Sequence, residues 1–151
     1  HTRAVTAMAG TFGYELNPAL LDEEERAKIR DQVARYKRYE RLISCGDYYR
    51  LSRPVGGAFC AWMFVSDDRD QALLNVVRTR LEGNMAAAYV KLKGLDAAAL
   101  YRDCDTGAVY CGAALMEAGI PLPVPAVEYE AYQMAFERIG MEAQQEMQAR
   151  G

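Results

Sequence analysis

Histidine is almost missing from this chain: the single one is His1, at the first position. Catalytic arrangements that need an internal imidazole, of the Ser/His/Asp or Cys/His kind, therefore have nothing to draw on. The same scarcity argues against zinc. The four cysteines are Cys45, Cys60, Cys104 and Cys111, and no two are spaced as Cys-x-x-Cys. Long apolar runs are also missing; nothing approaches the roughly 18 residues that a membrane span requires. No signal-peptide pattern opens the chain. Gly10 and Gly13 bracket only Thr11 and Phe12, too little for a phosphate-cradling loop. An excess of positive charge is absent as well: 18 basic residues against 21 acidic ones leave a net charge of -3. Neither nucleic acid nor an anionic membrane is expected as a partner. No internal repeat is visible. The expectation is a cytoplasmic protein with reduced thiols, Cys60 being a small core residue. A Cys104–Cys111 bridge across a turn is the alternative. No metal and no cofactor is expected.

What is present is an ordinary globular balance, 51% hydrophobic and 26% charged over 151 residues, enough for one domain with an appendage. The organising stretch is Phe59-Cys-Ala-Trp-Met-Phe64, extended by Val65, without charge, Gly or Pro. It lacks clean alternation, so both of its faces should be buried, as in the central strand of a sheet. Gly56-Gly57 opens it and Ser66-Asp67-Asp68 closes it, both turn chemistry.

Ahead of this stretch, the spacing predicts a helix from Asp22 to Gly46. Asp22 and Glu25 form a capping-box pattern, and Glu23 and Glu24 put acid in the first turn. Ile29, Val33, Tyr36 and Ile43, with Tyr39 or Glu40 between, keep one apolar face. Glu24–Lys28 and Asp31–Arg35 are one turn apart and can pair. The basic run from Arg35 to Arg41 is interleaved with Glu40 and reads as a solvated face rather than a phosphate patch. Before the helix, residues 4–9 suit the tail of another helix that Gly10 ends, and residues 11–16 suit a short strand. Two elements this brief cannot bury themselves alone and look cut off from a larger partner. The chain begins without Met, which fits a piece of something longer or a processed chain.

After Asp47 the period changes to that of strands: 48–51, 59–65, 71–81, 88–93, 100–104, 108–111 and 131–139. Asp105-Thr106-Gly107 is the loop of a hairpin. Residues 112–119 suit a short helix or turn. Pro121, Pro123 and Pro125 exclude a regular ladder there. On residues 131–139, Tyr132, Met134 and Phe136 should share a face. The expected fold is mainly β: an antiparallel β-sandwich preceded by a strand and a long helix. The units are 1–46, 47–140 and a polar tail, 141–151.

Candidate chemistry is sparse. Asp67, Asp68 and Asp70 could hold calcium through oxygen ligands, but the EF-hand Gly and terminal Glu are lacking, and a solvated turn is the preferred reading. Asp103 and Asp105 read the same way. Glu15 lies inside an apolar run, where a charge needs a partner or a site. Tyr48, Tyr49 and Trp62 could form a sugar-stacking platform, or be core and cross-strand pairs. No catalytic, substrate-binding or metal-ligating residue is assigned.

One resemblance adds to this. The block Gly10-Thr-Phe-Gly-Tyr-Glu-Leu16 is followed in order by Asp22-Glu-Glu-Glu-Arg26, Gly46-Asp-Tyr-Tyr-Arg-Leu51, Ala61-Trp-Met63, Leu92-Lys-Gly-Leu-Asp96, Val109-Tyr110 and Pro121-Leu-Pro123. No single block is specific, but the series, over residues 2–139, resembles the family-36 glycoside hydrolases, the bacterial and fungal α-galactosidases. The resemblance implies that residues 1–46 are the end of a catalytic (β/α)8 barrel and residues 47–140 a C-terminal β-domain. It implies a retaining hydrolase of terminal α-galactosides with two Asp residues, and a parent that often forms homo-oligomers. The family's nucleophile follows a Lys-Trp pair; Trp62 is flanked by Ala61 and Met63, so neither catalytic Asp is carried onto this chain. Asn17 stands where the family usually has Asp, and the polar tail is longer than the family suggests. The chain is then the partner of an upstream barrel and inactive alone. The alternative is an autonomous carbohydrate-binding module.

Overall fold

The computed structural model describes residues 1–52, 57–81, 88–122 and 129–140, with the side chain of residue 18 excepted. The expected tail at 141–151, the turn residue Gly56, and Pro123 and Pro125 lie outside the described residues.

A short helix α1 (Thr2–Ala7) precedes the long helix α2 (Glu23–Cys45). The capping box of α2 is present: the Asp22 carboxylate accepts from Glu25 N at 2.8 Å, and Glu25 accepts from Asp22 N at 3.2 Å. Gly46 caps the other end with an extended backbone that any residue could adopt. Its requirement is space, since a Cβ there would lie 2.6 Å from Leu42 O and 2.7 Å from Val65 O. A close passage from helix into strand is what the glycine permits.

The strands are β1 (Asp47–Arg50), β2 (Phe59–Val65), β3 (Gln71–Arg78), β4 (Tyr89–Val90), β5 (Leu100–Asp103), β6 (Val109–Cys111), β7 (Ile120–Pro121) and β8 (Ala131–Arg138), with helix α3 (Gly112–Glu117) after β6. Six of them form one antiparallel sheet in the order β1-β2-β3-β8-β5-β6, and β4 pairs with β7. The expected hairpin joins β5 to β6, with Gly107 at φ 77°. The strand β2 is interior, as its composition requires, but the central pair is β3 and β8.

Both faces of this sheet are covered, which explains the unbroken apolar runs. On one face, Ala61, Met63, Val65, Leu74, Val76 and Phe136 pack with Val90, Leu92, Leu115, Ile120 and Leu122 of the smaller layer. Tyr132 and Met134 join Phe136 there, as their spacing requires. On the other face, Phe64, Leu73 and Ala135 meet Ala4, Met8, Tyr39, Leu42 and Ile43 of the helices. The architecture is thus a β-sandwich with a helix docked on its outer side.

Three expectations are corrected. Residues 11–16 form no strand; a strand exists only as part of a ladder, and among the described residues nothing pairs with them. Pro121 does sit in a ladder, opposite Tyr89, because a two-residue edge strand can spare its N–H. Arg35 does not pair with Asp31; it turns toward the sheet, to Asp105.

Candidate functional site

The most organised polar structure in the described chain lies between α2 and the sheet. It begins with two amides on neighbouring strands. Asn75 of β3 and Gln133 of β8 are register partners on the face that looks toward the helices. Asn75 is 1% exposed, and a buried amide must find partners. Gln133 Nε2 donates to Asn75 Oδ1 at 2.8 Å, and Asn75 Nδ2 donates to Leu73 O at 3.4 Å. Gln133 also reaches Met8 Sδ at 3.7 Å, beside α1.

Arg35 of α2 completes the set. Its Nε donates to Gln133 Oε1 at 2.5 Å and Nη2 to Gln133 O at 3.2 Å. Nη1 and Nη2 donate to the two carboxylate oxygens of Asp105, in the β5–β6 loop, at 3.0 and 2.8 Å. This forked geometry is the strong form of an arginine–carboxylate contact. The Arg35 guanidinium holds the Asp105 carboxyl below the usual carboxylate range, and Asp105 raises Arg35 in return. Beneath lies buried Tyr39, with Arg35 and Arg38 at 5.7 and 5.5 Å from its ring centre. Burial pushes the Tyr39 phenol and the Cys104 thiol up. Arg38 reaches Glu137 at 3.4 Å. The basic run of α2 therefore contacts the sheet's acids. Sequence reading missed Gln133 and Asn75; the signal was one amide inside each of the apolar runs 72–77 and 131–136.

The other candidates are dispersed. Asp68 accepts from Ser66 Oγ at 2.6 Å and from Asp70 N at 3.1 Å, shaping the β2–β3 turn. Asp70 and Asp96 face Arg138, at 3.8 and 3.1 Å. Asp103 is buried and accepts from Asp105 N at 2.9 Å and Thr106 Oγ1 at 2.7 Å, inside the hairpin turn. All four cysteines are unbridged, and Cys60 is half-buried rather than buried. Among the described residues no His/Cys/Asp/Glu group is arranged to hold a metal. Tyr48 and Trp62 line a shallow hollow of about 440 Å³, but Tyr49 points to the opposite face, so the three do not form one platform. No helix among the described residues is long and apolar enough to cross a membrane.

Glu15 is exposed and borders a cleft of about 450 Å³ between residues 1–16 and the first half of α2. Phe12 stacks near Tyr36 at 5.2 Å, and the Tyr14 hydroxyl donates to Gln32. Asn17 keeps a local turn, accepting from Ala19 N at 3.0 Å and Leu20 N at 3.1 Å.

This division of the chain has a counterpart among known proteins. The model of the glycosyl hydrolase family 36 C-terminal domain matches residues 59–136, and the melibiase model matches residues 1–46. The chain belongs to glycoside hydrolase family 36. It is 58% identical over 136 residues to the bifunctional α-galactosidase/sucrose kinase AgaSK of Mediterraneibacter gnavus, a match that covers 90% of this chain and 14% of that protein. It is 46% identical over 122 residues to the α-galactosidase AgaA of Geobacillus stearothermophilus, covering 81% and 17%. The galactosidase domain of AgaSK superposes with a TM-score of 0.86 at 56% identity, over 91% of this chain and 19% of that one. A structure of AgaA in complex with raffinose superposes at 0.85 and 39% identity, with the same coverage. The chain thus spans less than a fifth of the length of these relatives. The seam between α2 and the sheet joins the part that matches the melibiase model to the part that matches the C-terminal domain.

Proposed function

We propose that this chain is the C-terminal segment of an α-galactosidase that hydrolyses terminal α-galactosides with retention, and that the segment is structural and inactive alone. Residues 1–46 belong to the end of the catalytic barrel and residues 47–140 to the C-terminal domain, with the tail at 141–151 outside both. Both catalytic carboxylates come from the upstream barrel, and this segment braces that barrel. The observation that carries the reading is the seam of Arg35, Asp105, Gln133 and Asn75. It is a saturated, partly buried lock between two parts of the chain, with no open acid pair at its centre. Such a lock transmits position rather than protons.

The test is hydrolysis of a chromogenic α-galactoside. The chain alone should give no turnover above background. The galactosidase domain of AgaSK, with its matching segment replaced by residues 1–151, should be active. Turnover by the isolated chain, abolished by Glu15→Gln, would overturn the proposal and make the fragment an enzyme.

A further inference from the structure

We propose that the polar segment 141–151 docks along the groove between the C-terminal half of α2 and the β2–β3 turn, as a strap supplied by this same chain. The inference goes beyond the proposed function and needs no upstream barrel. The groove measures about 560 Å³. Arg38, Arg41 and Cys45 of α2 form one wall, and Asp67, Asp68 and Asp70 of the turn form the other. Three of these charges are already engaged: Arg38 with Glu137, Asp70 with Arg138, and Asp68 inside the turn. The guanidinium of Arg41 and the carboxylate of Asp67 form no hydrogen bond or ion pair among the described residues. Helix α2 also lacks a base in its last turn to meet its negative pole. The groove thus offers one cation toward its middle and an anionic end.

Two observations select the occupant. The first is where the chain leaves the sheet. Arg138, the last residue of β8, donates its N–H to Asp70 O at 2.8 Å, and Glu137 before it faces Arg38. Both partners line the groove, so position 141 follows three residues after its rim. From there, residues 141–151 reach about 16 Å as a helix, roughly three turns of α2, and further if extended. The second observation is charge. Met141-Glu-Ala-Gln-Gln-Glu-Met-Gln-Ala-Arg-Gly151 carries two acids, Glu142 and Glu146, and then one base, Arg150. Laid from the Arg38 end of the groove toward Cys45, the segment brings its acids to Arg41 and its base to Asp67 and the C-terminal pole of α2. The charges come in the order in which the groove needs them. The same segment of a second copy is the competing occupant.

Cys45 reports on the strap, because it lines the groove and its thiol is unbridged. Alkylation of the full chain by iodoacetamide, read peptide by peptide by mass spectrometry, gives its rate relative to Cys111, which is exposed on β6 at the sheet's edge. Ending the chain at residue 140 should raise that ratio about fivefold, since access governs the rate of an unshifted thiol. In the full chain, Glu142→Lys with Glu146→Lys should raise it by a similar factor. So should salt at about 1 M, where charges act over only about 3 Å. Adding Arg41→Glu to the two lysine substitutions should restore the slow rate. Arg41→Glu in the chain ended at 140 corrects for its direct effect on the thiol. Equal ratios with and without the segment overturn the proposal, and so does protection that survives the charge reversal. Protection that lapses on dilution assigns the groove to a second copy and overturns it as well. Should the chain ended at 140 lose its fold by circular dichroism, the charge-reversed full chain decides by the same criterion.

Discussion

The guanidinium of Arg35 and the carboxylate of Asp105 meet fork to fork across 70 positions of sequence, with Nη1 to Oδ1 at 3.0 Å and Nη2 to Oδ2 at 2.8 Å. The pair fastens a helix to a hairpin loop that is made much later in the chain. It also leaves the third nitrogen, Nε, free to serve Gln133, so one side chain bridges two elements of the sheet.

The two ends of this bridge should differ in cost. Asp105→Ala removes one partner of a half-exposed pair, worth about 0.2–1 kcal/mol. Arg35→Ala also strips Gln133 of its donor and uncovers Tyr39, so about 1–3 kcal/mol is expected. Urea unfolding of both variants checks the order. Equal losses would show that Gln133 gains nothing from Arg35.

Acid should weaken the same contact. Arg35 holds the Asp105 carboxyl below its ordinary value of 3.8 in the folded chain. As pH falls, the unfolded chain takes up the proton first. The pair's contribution is therefore full above the ordinary Asp range and is lost as pH falls through the depressed folded value. Stability measured from pH 6 down to about pH 2 should fall less steeply in Asp105→Asn than in the native chain. Parallel curves would remove the pair from the acid response.

Asn75 and Gln133 form a coupled unit. Gln133→Leu leaves the buried Asn75 carbonyl without its donor and should cost about 1–3 kcal/mol. Asn75→Leu alone strands the Gln133 amide in the same way. The double variant puts apolar groups on both sides and should recover part of either single loss, giving a clear interaction energy in a double-mutant cycle. Additive losses would show the two amides to be independent.

Two glycines with nearly the same backbone should separate strain from crowding. Gly94 has φ 76° and Gly107 has φ 77°. A Cβ at Gly107 meets nothing within 4 Å, so Gly107→Ala should cost only the left-handed backbone, about 1–2 kcal/mol. A Cβ at Gly94 would lie 2.6 Å from the Tyr49 ring. Gly94→Ala should therefore melt at a lower temperature than Gly107→Ala, and Gly94→Ala with Tyr49→Leu should regain part of the difference.

Most of the fold was legible because its signals are local. The Asp22–Glu25 box, the apolar stripe of α2, the Asp105-Thr106-Gly107 hairpin and the alternation of Tyr132, Met134 and Phe136 all act within a few residues. The seam was not legible, because Arg35 gives no sign in sequence that it prefers Asp105 over Asp31, one turn away. That choice depends on how the helix lies on the sheet, beside β2 and β3 and within reach of Gln133, a tertiary fact. A platform of Tyr48, Tyr49 and Trp62 was only one of two readings, and the strand's two-residue period decides against it by sending Tyr49 to the opposite face. The failure at residues 11–16 differs in kind: the local signal for a strand is there, and a ladder needs two strands.

The seam also sets an order of events during synthesis. Arg35 leaves the ribosome 98 residues before Gln133. At about 5–20 residues per second, that gap lasts about 5–20 s. Until β8 is made, the stripe of Tyr39, Leu42 and Ile43 lacks Ala135, and β3 lacks its neighbour in the central strand pair. Docking of α2 on the sheet is therefore complete only once the last described strand emerges. A nascent chain stopped before β8 would lack both Ala135 and the Gln133 end of the seam.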